Sequence, residues 1–119
     1  MSGSYQDPAD LARIPAFIAQ APDAARAFLA FDHACFADNG TGLPIKTREL
    51  IALAVALTTQ CAYCLDVHSR RARHAGASAE ELAQTALIAA AVRAGGSLSH
   101  GLMLQRLFER EETSPSPQP

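Results

Sequence analysis

Residues 49–68 read ELIALAVALTTQCAYCLDVH. This stretch holds two of the three cysteines, Cys61 and Cys64, with His68 four residues after the second and Glu49 twelve residues before the first. Its first half is an apolar run that favours a buried helix. Its second half places two thiols before a base, and Glu49 at its start adds an acid, a combination that can pass electrons and protons. The stretch therefore predicts a helical protein with redox chemistry at its centre.

The composition around this stretch favours helices throughout. Alanine accounts for 25 of the 119 residues, close to half of the 49% that are hydrophobic. Alanine is the strongest helix former, and its small side chain lets helices pack closely. We therefore predict an all-α protein, a compact bundle of five to six helices. Because such a core contains few large side chains, we also expect apolar faces to be buried between subunits of a homo-oligomer.

Length, charge and hydropathy limit the function classes. We predict one domain over residues 1–112 and a disordered Ser/Pro-rich tail over residues 113–119. A net charge of −2 and a pI near 6.0 argue against nucleic-acid and anionic-membrane partners. No uninterrupted apolar run is long enough to span a bilayer, and no secretory signal is visible, so we predict a cytoplasmic protein. There, a Cys-x-x-Cys pair is more often catalytic or metal-binding than a structural disulfide.

Capping signals predict where the helices begin and end. The predicted starts are Asp7-Pro8, Pro22, Pro44, Cys61, Ser78 and Ser97. The predicted ends are Asn39-Gly40-Thr41-Gly42, Thr59, His74, Arg93 and Arg110. Ser78 and Glu81 have the spacing of a capping box, and Gly95-Gly96 is expected to separate the fifth helix from the sixth. Cys35 is expected in the core, on the second helix.

Helical spacing brings part of the motif together. Residues four apart share a helix face, so Cys64 and His68 should lie side by side, and the imidazole could take the Cys64 proton. Cys61 would instead gain from the helix N-terminus, whose unpaired N–H groups stabilise a thiolate. The two effects favour different cysteines, so the spacing leaves the identity of the nucleophile open. Glu49 could exchange protons or orient His68.

The spacing of Glu49, Cys61, Cys64 and His68 resembles that of the alkyl hydroperoxidase D family, part of the wider carboxymuconolactone decarboxylase-like superfamily. The resemblance covers about residues 44–101. The segment 46–53 is similar to the helix that precedes the cysteines in that family, and Arg93-Ala94-Gly95-Gly96 followed by His100 resembles its later helix break. The resemblance implies an all-α fold, obligate trimers or hexamers, and reduction of organic hydroperoxides by the dithiol.

Residue by residue, the resemblance makes Cys64 the attacking thiol, Cys61 the resolving thiol, and Glu49 and His68 the proton relay. An external dithiol would reduce the pair again, and neither a cofactor nor a metal is expected. One position departs from the family pattern. The best-known members carry a histidine directly before the second cysteine, where this chain has Tyr63. A shorter relay and a weaker peroxidase activity are the expected consequences.

Several alternatives remain open from the sequence. Cys61, Cys64 and His68 could bind zinc with a fourth ligand. The candidates for that ligand are Glu49, His74 and His100. A decarboxylase-like enzyme of the same superfamily would need no dithiol. A non-enzymatic redox sensor would use the pair without turnover, and two small apolar cysteines could simply belong to the core.

Overall fold

The computed structural model describes residues 5–111, and all regular secondary structure in that range is helical. A 3-10 helix, which we name η1, leads into five α-helices. The elements are η1 (Pro8–Arg13), α1 (Ile14–Ala19), α2 (Pro22–Phe36), α3 (Ile45–Thr59), α4 (Ala62–His74) and α5 (Ala79–Glu111). The predicted all-α class is confirmed. The predicted domain of residues 1–112 and the tail of residues 113–119 extend outside the described residues and stay predictions.

Most of the predicted helix boundaries are confirmed by local hydrogen bonds and backbone angles. The Asp7 carboxylate accepts a hydrogen bond from the backbone N–H two residues on, at 2.9 Å, and so caps η1. Gln60 ends α3 in the left-handed conformation with φ 57°, and Gly76 follows α4 with φ 92°. The Ser78 hydroxyl accepts from the Glu81 N–H at 3.1 Å, and the Glu81 carboxylate accepts from the Ser78 N–H at 2.9 Å. The predicted capping box is therefore present at the start of α5.

An ion pair joins the starts of α3 and α5. The Lys46 ammonium lies 3.0 Å from the Glu81 carboxylate, which also caps α5. The hydrogen bond from the Ser78 N–H and the adjacent Lys46 charge hold the pKa of Glu81 below its ordinary value. The carboxylate therefore stays charged in its two structural roles at neutral pH.

The predicted break at Gly95-Gly96 is wrong, because α5 runs without interruption from Ala79 to Glu111. Each glycine inside a helix costs only about 1 kcal/mol relative to alanine. The alanine-rich turns before the pair and the leucine-rich turns after it favour helix on both sides, and no proline removes a backbone donor. Ser97, expected to cap a separate helix, therefore lies inside α5.

The core is small and centres on α3, which packs against both α4 and α5. Its buried apolar residues are Leu53, Ala56, Ala72 and Ala89. The second helix, α2, has no buried residue, and Phe28 and Phe31 are exposed. The prediction that Cys35 belongs to the core is therefore wrong: its thiol is free and exposed, because no other element within residues 5–111 covers that face of α2.

The C-terminal half of α5 extends away from this core. Every residue from 90 to 110 is exposed. Its large exposed apolar residues are Leu98, Leu102, Met103, Leu104, Leu107 and Phe108. The radius of gyration is 20.4 Å, compared with roughly 13 Å for a compact domain of this length. The single chain is thus open, with a long apolar helix surface that no other described element covers.

One helix in the described range, α5 over Ala79–Arg110, is long and apolar enough to cross a membrane by length and composition alone. Its best window of 18 residues has a mean hydropathy of 1.2, and only 6% of that window is buried. The sequence contains no unbroken apolar run of that length because glycines, serines and a histidine interrupt it. Helices in the cores of soluble proteins pass the same test, so the predicted absence of a membrane partner stays a prediction.

Candidate active site

The two central cysteines lie at the start of α4 and are joined as a disulfide. Cys61 is the N-cap residue of α4, and Cys64 lies in its first turn, with the two Cα atoms 5.3 Å apart. The Cys61 sulfur accepts a hydrogen bond from the Cys64 backbone N–H at 3.2 Å. A sulfur therefore takes the place that a serine or aspartate oxygen usually has at a helix start. In the reduced protein the same N–H would stabilise a thiolate on Cys61.

A buried acid–base pair lies next to this helix turn. The Glu49 carboxylate on α3 is 2.7 Å from Nδ1 of His68 on α4. Glu49 is only 2% exposed and is the buried charged residue of the described chain. Because the carboxylate accepts a hydrogen bond from Nδ1–H, the other ring nitrogen, Nε2, is the atom left to exchange protons.

His68 lies one turn after Cys64 on α4, so the imidazole and the Cys64 side chain share a helix face. The structure thus brings three of the predicted site residues, Cys61, Cys64 and His68, together at the N-cap and in the first two turns of α4. Packing of α3 against α4 adds Glu49, the residue that the sequence alone could not place. The two helices thus carry a buried acid, a histidine bonded to it and a disulfide.

An aromatic ring covers one face of the imidazole. Phe36, the last residue of α2, stacks on His68 with ring centroids 5.1 Å apart and planes inclined by 29°. Sequence reasoning missed Phe36 because α2 contains three phenylalanines at helical spacing and no local signal distinguishes them. The contact depends on where the end of α2 meets α4, which is a property of the tertiary structure.

Tyr63, the residue between the two cysteines that departs from the family pattern, turns toward the N-terminal segment. Its hydroxyl donates a hydrogen bond to the Asp10 carboxylate on η1 at 2.6 Å. This bond holds the proton on the phenol and raises the pKa of Tyr63 above its ordinary value of 10.0. Tyr63 therefore stays neutral at physiological pH and ties η1 to the start of α4, rather than standing in for a titrating histidine.

A cleft of about 670 Å³ opens on the other side of the acid–base pair. Its lining includes Leu29, His33, Phe36, Glu49, Arg71 and His74. Neither cysteine lines this cleft, whereas Glu49 forms part of its wall. The volume is within the range of small-molecule sites. The Glu49 carboxyl thus connects the cleft with His68.

Other residues considered from the sequence lie elsewhere. His100 is exposed on α5, where its Nδ1 is 3.0 Å from the Gly96 carbonyl, and His74 is exposed at the end of α4. Among residues 5–111, no group of three or more His, Cys, Asp or Glu side chains is arranged to hold a metal ion. The zinc alternative therefore gains no support from the positions of its proposed ligands.

Comparison with known proteins places the chain in a family. Residues 22–104 match the model of the carboxymuconolactone decarboxylase family. The chain belongs to this family. The match spans α2, α3, α4 and most of α5, and so includes the disulfide, the Glu49–His68 pair and Phe36. The superfamily suggested by the motif is thus confirmed, and an alkyl hydroperoxidase D-like subgroup is compatible with it.

Two relatives of this family member are named only as uncharacterized proteins. The chain is similar to uncharacterized protein 4 in the cox locus of Paracoccus denitrificans, with 42% identity over 74 residues. That alignment covers 62% of this chain and 65% of the relative. A shorter match, 56% identical over 36 residues, is to an uncharacterized protein of Haemophilus influenzae and covers 30% of this chain and 32% of the relative. The chain therefore spans less than two thirds of either relative.

Proposed function

We propose that this family member is a dithiol oxidoreductase that reduces organic hydroperoxides. The observation that carries the proposal is the Cys61–Cys64 disulfide at the start of α4, one turn before a histidine that bonds the buried Glu49. A dithiol at a helix N-terminus is easily deprotonated, and an oriented imidazole next to it can supply or remove protons. Together these groups provide what thiol-based peroxide reduction requires.

The proposed cycle has three balanced steps. The Cys64 thiolate attacks the terminal peroxide oxygen, and the O–O bond breaks. Cys64 becomes a sulfenic acid, and the leaving alkoxide takes a proton from the His68–Glu49 pair to form an alcohol. The Cys61 thiol then condenses with the sulfenic acid, releasing water and forming the disulfide. An external dithiol reduces this disulfide by exchange and becomes oxidised itself.

A cytoplasmic location is part of the proposal because thiols are kept reduced there.

A thiol titration tests this function directly. Fully reduced protein treated with one equivalent of cumene hydroperoxide should lose two thiols per chain and release one equivalent of alcohol, leaving the Cys35 thiol free. Metal analysis of the same sample identifies any bound zinc. Unchanged thiols in the presence of peroxide would contradict the proposal and favour decarboxylase-like chemistry, which needs no dithiol. Thiols lost only after zinc is removed would favour the metal site.

We also propose that the protein acts as a homo-oligomer, a trimer or hexamer, assembled through the exposed half of α5. A contiguous apolar surface of this extent is unusual on a monomer, and a second copy of the same helix would offer matching apolar side chains. Leu98 and Leu102, one turn apart on α5, are 76% and 71% exposed. They are the residues that we expect to lose most solvent contact on assembly.

Light scattering checks this assembly. The wild-type protein should have a multiple of the 12.6 kDa chain mass, and the double variant Leu98→Glu/Leu102→Glu should fall to the monomer mass because two buried charges would oppose association. The control is Gln84→Glu, which adds a charge at an exposed position in the first half of α5, outside the proposed assembly surface, and should keep the wild-type mass. A monomeric wild type, or a protein that leaves the membrane fraction only in detergent, would contradict the proposal.

A further inference from the structure

Arg48 closes the C-terminal end of α2. One guanidinium nitrogen, Nη1, donates to the Ala37 carbonyl and, at 3.5 Å, to the Cys35 carbonyl, while Nη2 donates to the Thr41 carbonyl at 3.1 Å. The last carbonyls of a helix lack intrahelical donors, and a cation complements the negative end of the helix dipole. The planar guanidinium has the donors to serve several carbonyls at once. Arg48 therefore caps α2 from another helix.

The chain approaches the guanidinium closely in this loop. Gly42 has a φ of 77°, and a Cβ atom placed there would lie 3.3 Å from Nη2 of Arg48. A side chain at this position would strain the backbone and crowd the guanidinium. The loop between α2 and α3 is thus shaped around Arg48.

The two carbonyls bonded by Nη1 flank Phe36, whose ring stacks on His68. The rest of α2 offers little other attachment, since none of its residues is buried. The position of Phe36 against the imidazole therefore depends on the cap that Arg48 provides.

Arg48 and Glu49 are consecutive residues of α3, so their side chains leave the helix about 100° apart. One reaches the end of α2, and the other bonds Nδ1 of His68. A single turn of α3 thus fixes the imidazole in two ways. Glu49 bonds the edge of the ring at Nδ1. Phe36, whose two neighbouring carbonyls are bonded by Arg48, packs on the face of the ring.

We propose that Arg48 is a positioning residue for the dithiol site: it caps α2 so that Phe36 packs on the face of His68 and holds the imidazole in its bond with Glu49. The catalytic consequence rests on the proposed function, but the structural link from Arg48 to His68 does not. An NMR measurement tests the structural link, and a kinetic measurement tests the catalytic consequence.

The test uses Arg48→Met, Phe36→Leu and the double variant, with Arg73→Met as the control. Arg73 is an exposed arginine on α4 that does not line the cleft and lies nine residues beyond Cys64. The first measurement is the NMR chemical shift of the His68 ring protons in the oxidised protein. The Phe36 ring current acts on these protons, so Phe36→Leu should move the resonances. Arg48→Met should move them in the same direction, and Arg73→Met should leave them in place.

The second measurement is kcat/KM for cumene hydroperoxide with a dithiol reductant. A misplaced catalytic group can cost up to about 10²-fold in rate, and we expect a fall of about tenfold for Phe36→Leu and for Arg48→Met. If Arg48 acts through Phe36, the double variant should be no slower than Phe36→Leu alone. Arg48→Lys keeps the charge but has all its donors on one nitrogen, so it cannot span the carbonyls that Nη1 and Nη2 bond separately, and it should give an intermediate shift and rate. It also keeps the test decisive if Arg48→Met does not fold.

Two results would overturn the proposal. One is a His68 resonance that does not change in Arg48→Met or Arg48→Lys. The other is a double variant in which the separate rate losses multiply, which would show independent effects. If even the wild-type protein consumes no hydroperoxide, the proposed function fails, whereas the NMR comparison still decides whether Arg48 positions His68.

Discussion

Replacing Cys64 with serine is expected to abolish hydroperoxide consumption, whereas replacing Cys61 should leave a single turnover. In the proposed cycle Cys64 attacks the peroxide, and a serine hydroxyl at its position cannot do so. Without Cys61, the first step still occurs, but the sulfenic acid on Cys64 has no thiol nearby to condense with. Peroxide consumption in stopped-flow experiments, together with trapping by a dimedone-type probe and peptide mapping, measures both effects.

The matched control is Cys35→Ser. Its thiol is exposed, free and on α2, outside the disulfide, so its loss should leave turnover unchanged.

The geometry at the start of α4 makes the comparison of Cys61 with Cys64 informative, because the Cys64 N–H bonds the Cys61 sulfur and would stabilise a thiolate there. If Cys64→Ser forms a trappable sulfenic acid and Cys61→Ser does not react, the order of the two thiols is reversed. Wild-type peroxide turnover in both variants would contradict the peroxidase proposal.

Local signals sufficed to predict much of the fold. An N-cap, a capping box and a glycine in the left-handed conformation each act within a few residues, and those at Asp7, Ser78 and Gly76 are confirmed. The Gly95-Gly96 prediction failed because a glycine pair is a modest local cost, which the helix-forming turns on both sides outweigh. The misplacement of Cys35 has another origin: periodicity indicates which face of α2 is apolar, but not whether anything covers it.

The candidate site was predictable only in part. The spacing of Cys61, Cys64 and His68 lies within one helix, so elementary geometry brings them together. Glu49 lies on another helix and was placed by family resemblance, and the structure puts its carboxylate 2.7 Å from His68. Phe36 and Arg48 had no signal in the sequence, since the first is one of several phenylalanines on α2 and the second acts on backbone carbonyls, which every residue has.

Replacing His68 should slow the first step of peroxide reduction by roughly 10²–10⁴-fold, the usual contribution of a general acid or base. His68→Ala also removes the hydrogen-bond partner of the buried Glu49, which would cost about 1–3 kcal/mol of stability. His68→Asn separates the effects, because its amide nitrogen takes the place of Nδ1 and can still donate to Glu49 but cannot transfer a proton. We expect the rate loss in both variants, with the larger stability loss in His68→Ala. Single-turnover rates and thermal unfolding midpoints measure the two quantities.

Glu49→Gln completes this experiment. A glutamine oxygen can still accept the hydrogen bond from Nδ1–H of His68, so the ring keeps its orientation while the carboxylate charge is lost. If Glu49 only orients the histidine, this variant should keep most of the wild-type rate. If its charge supports proton transfer, the rate should fall toward that of His68→Asn. The control is His100→Ala, an exposed histidine on α5 away from the disulfide, which should turn over like the wild type. A His68→Asn enzyme with the wild-type rate would show that the imidazole only packs against Phe36 and Glu49, and the proton route would have to be sought among other groups near the sulfurs.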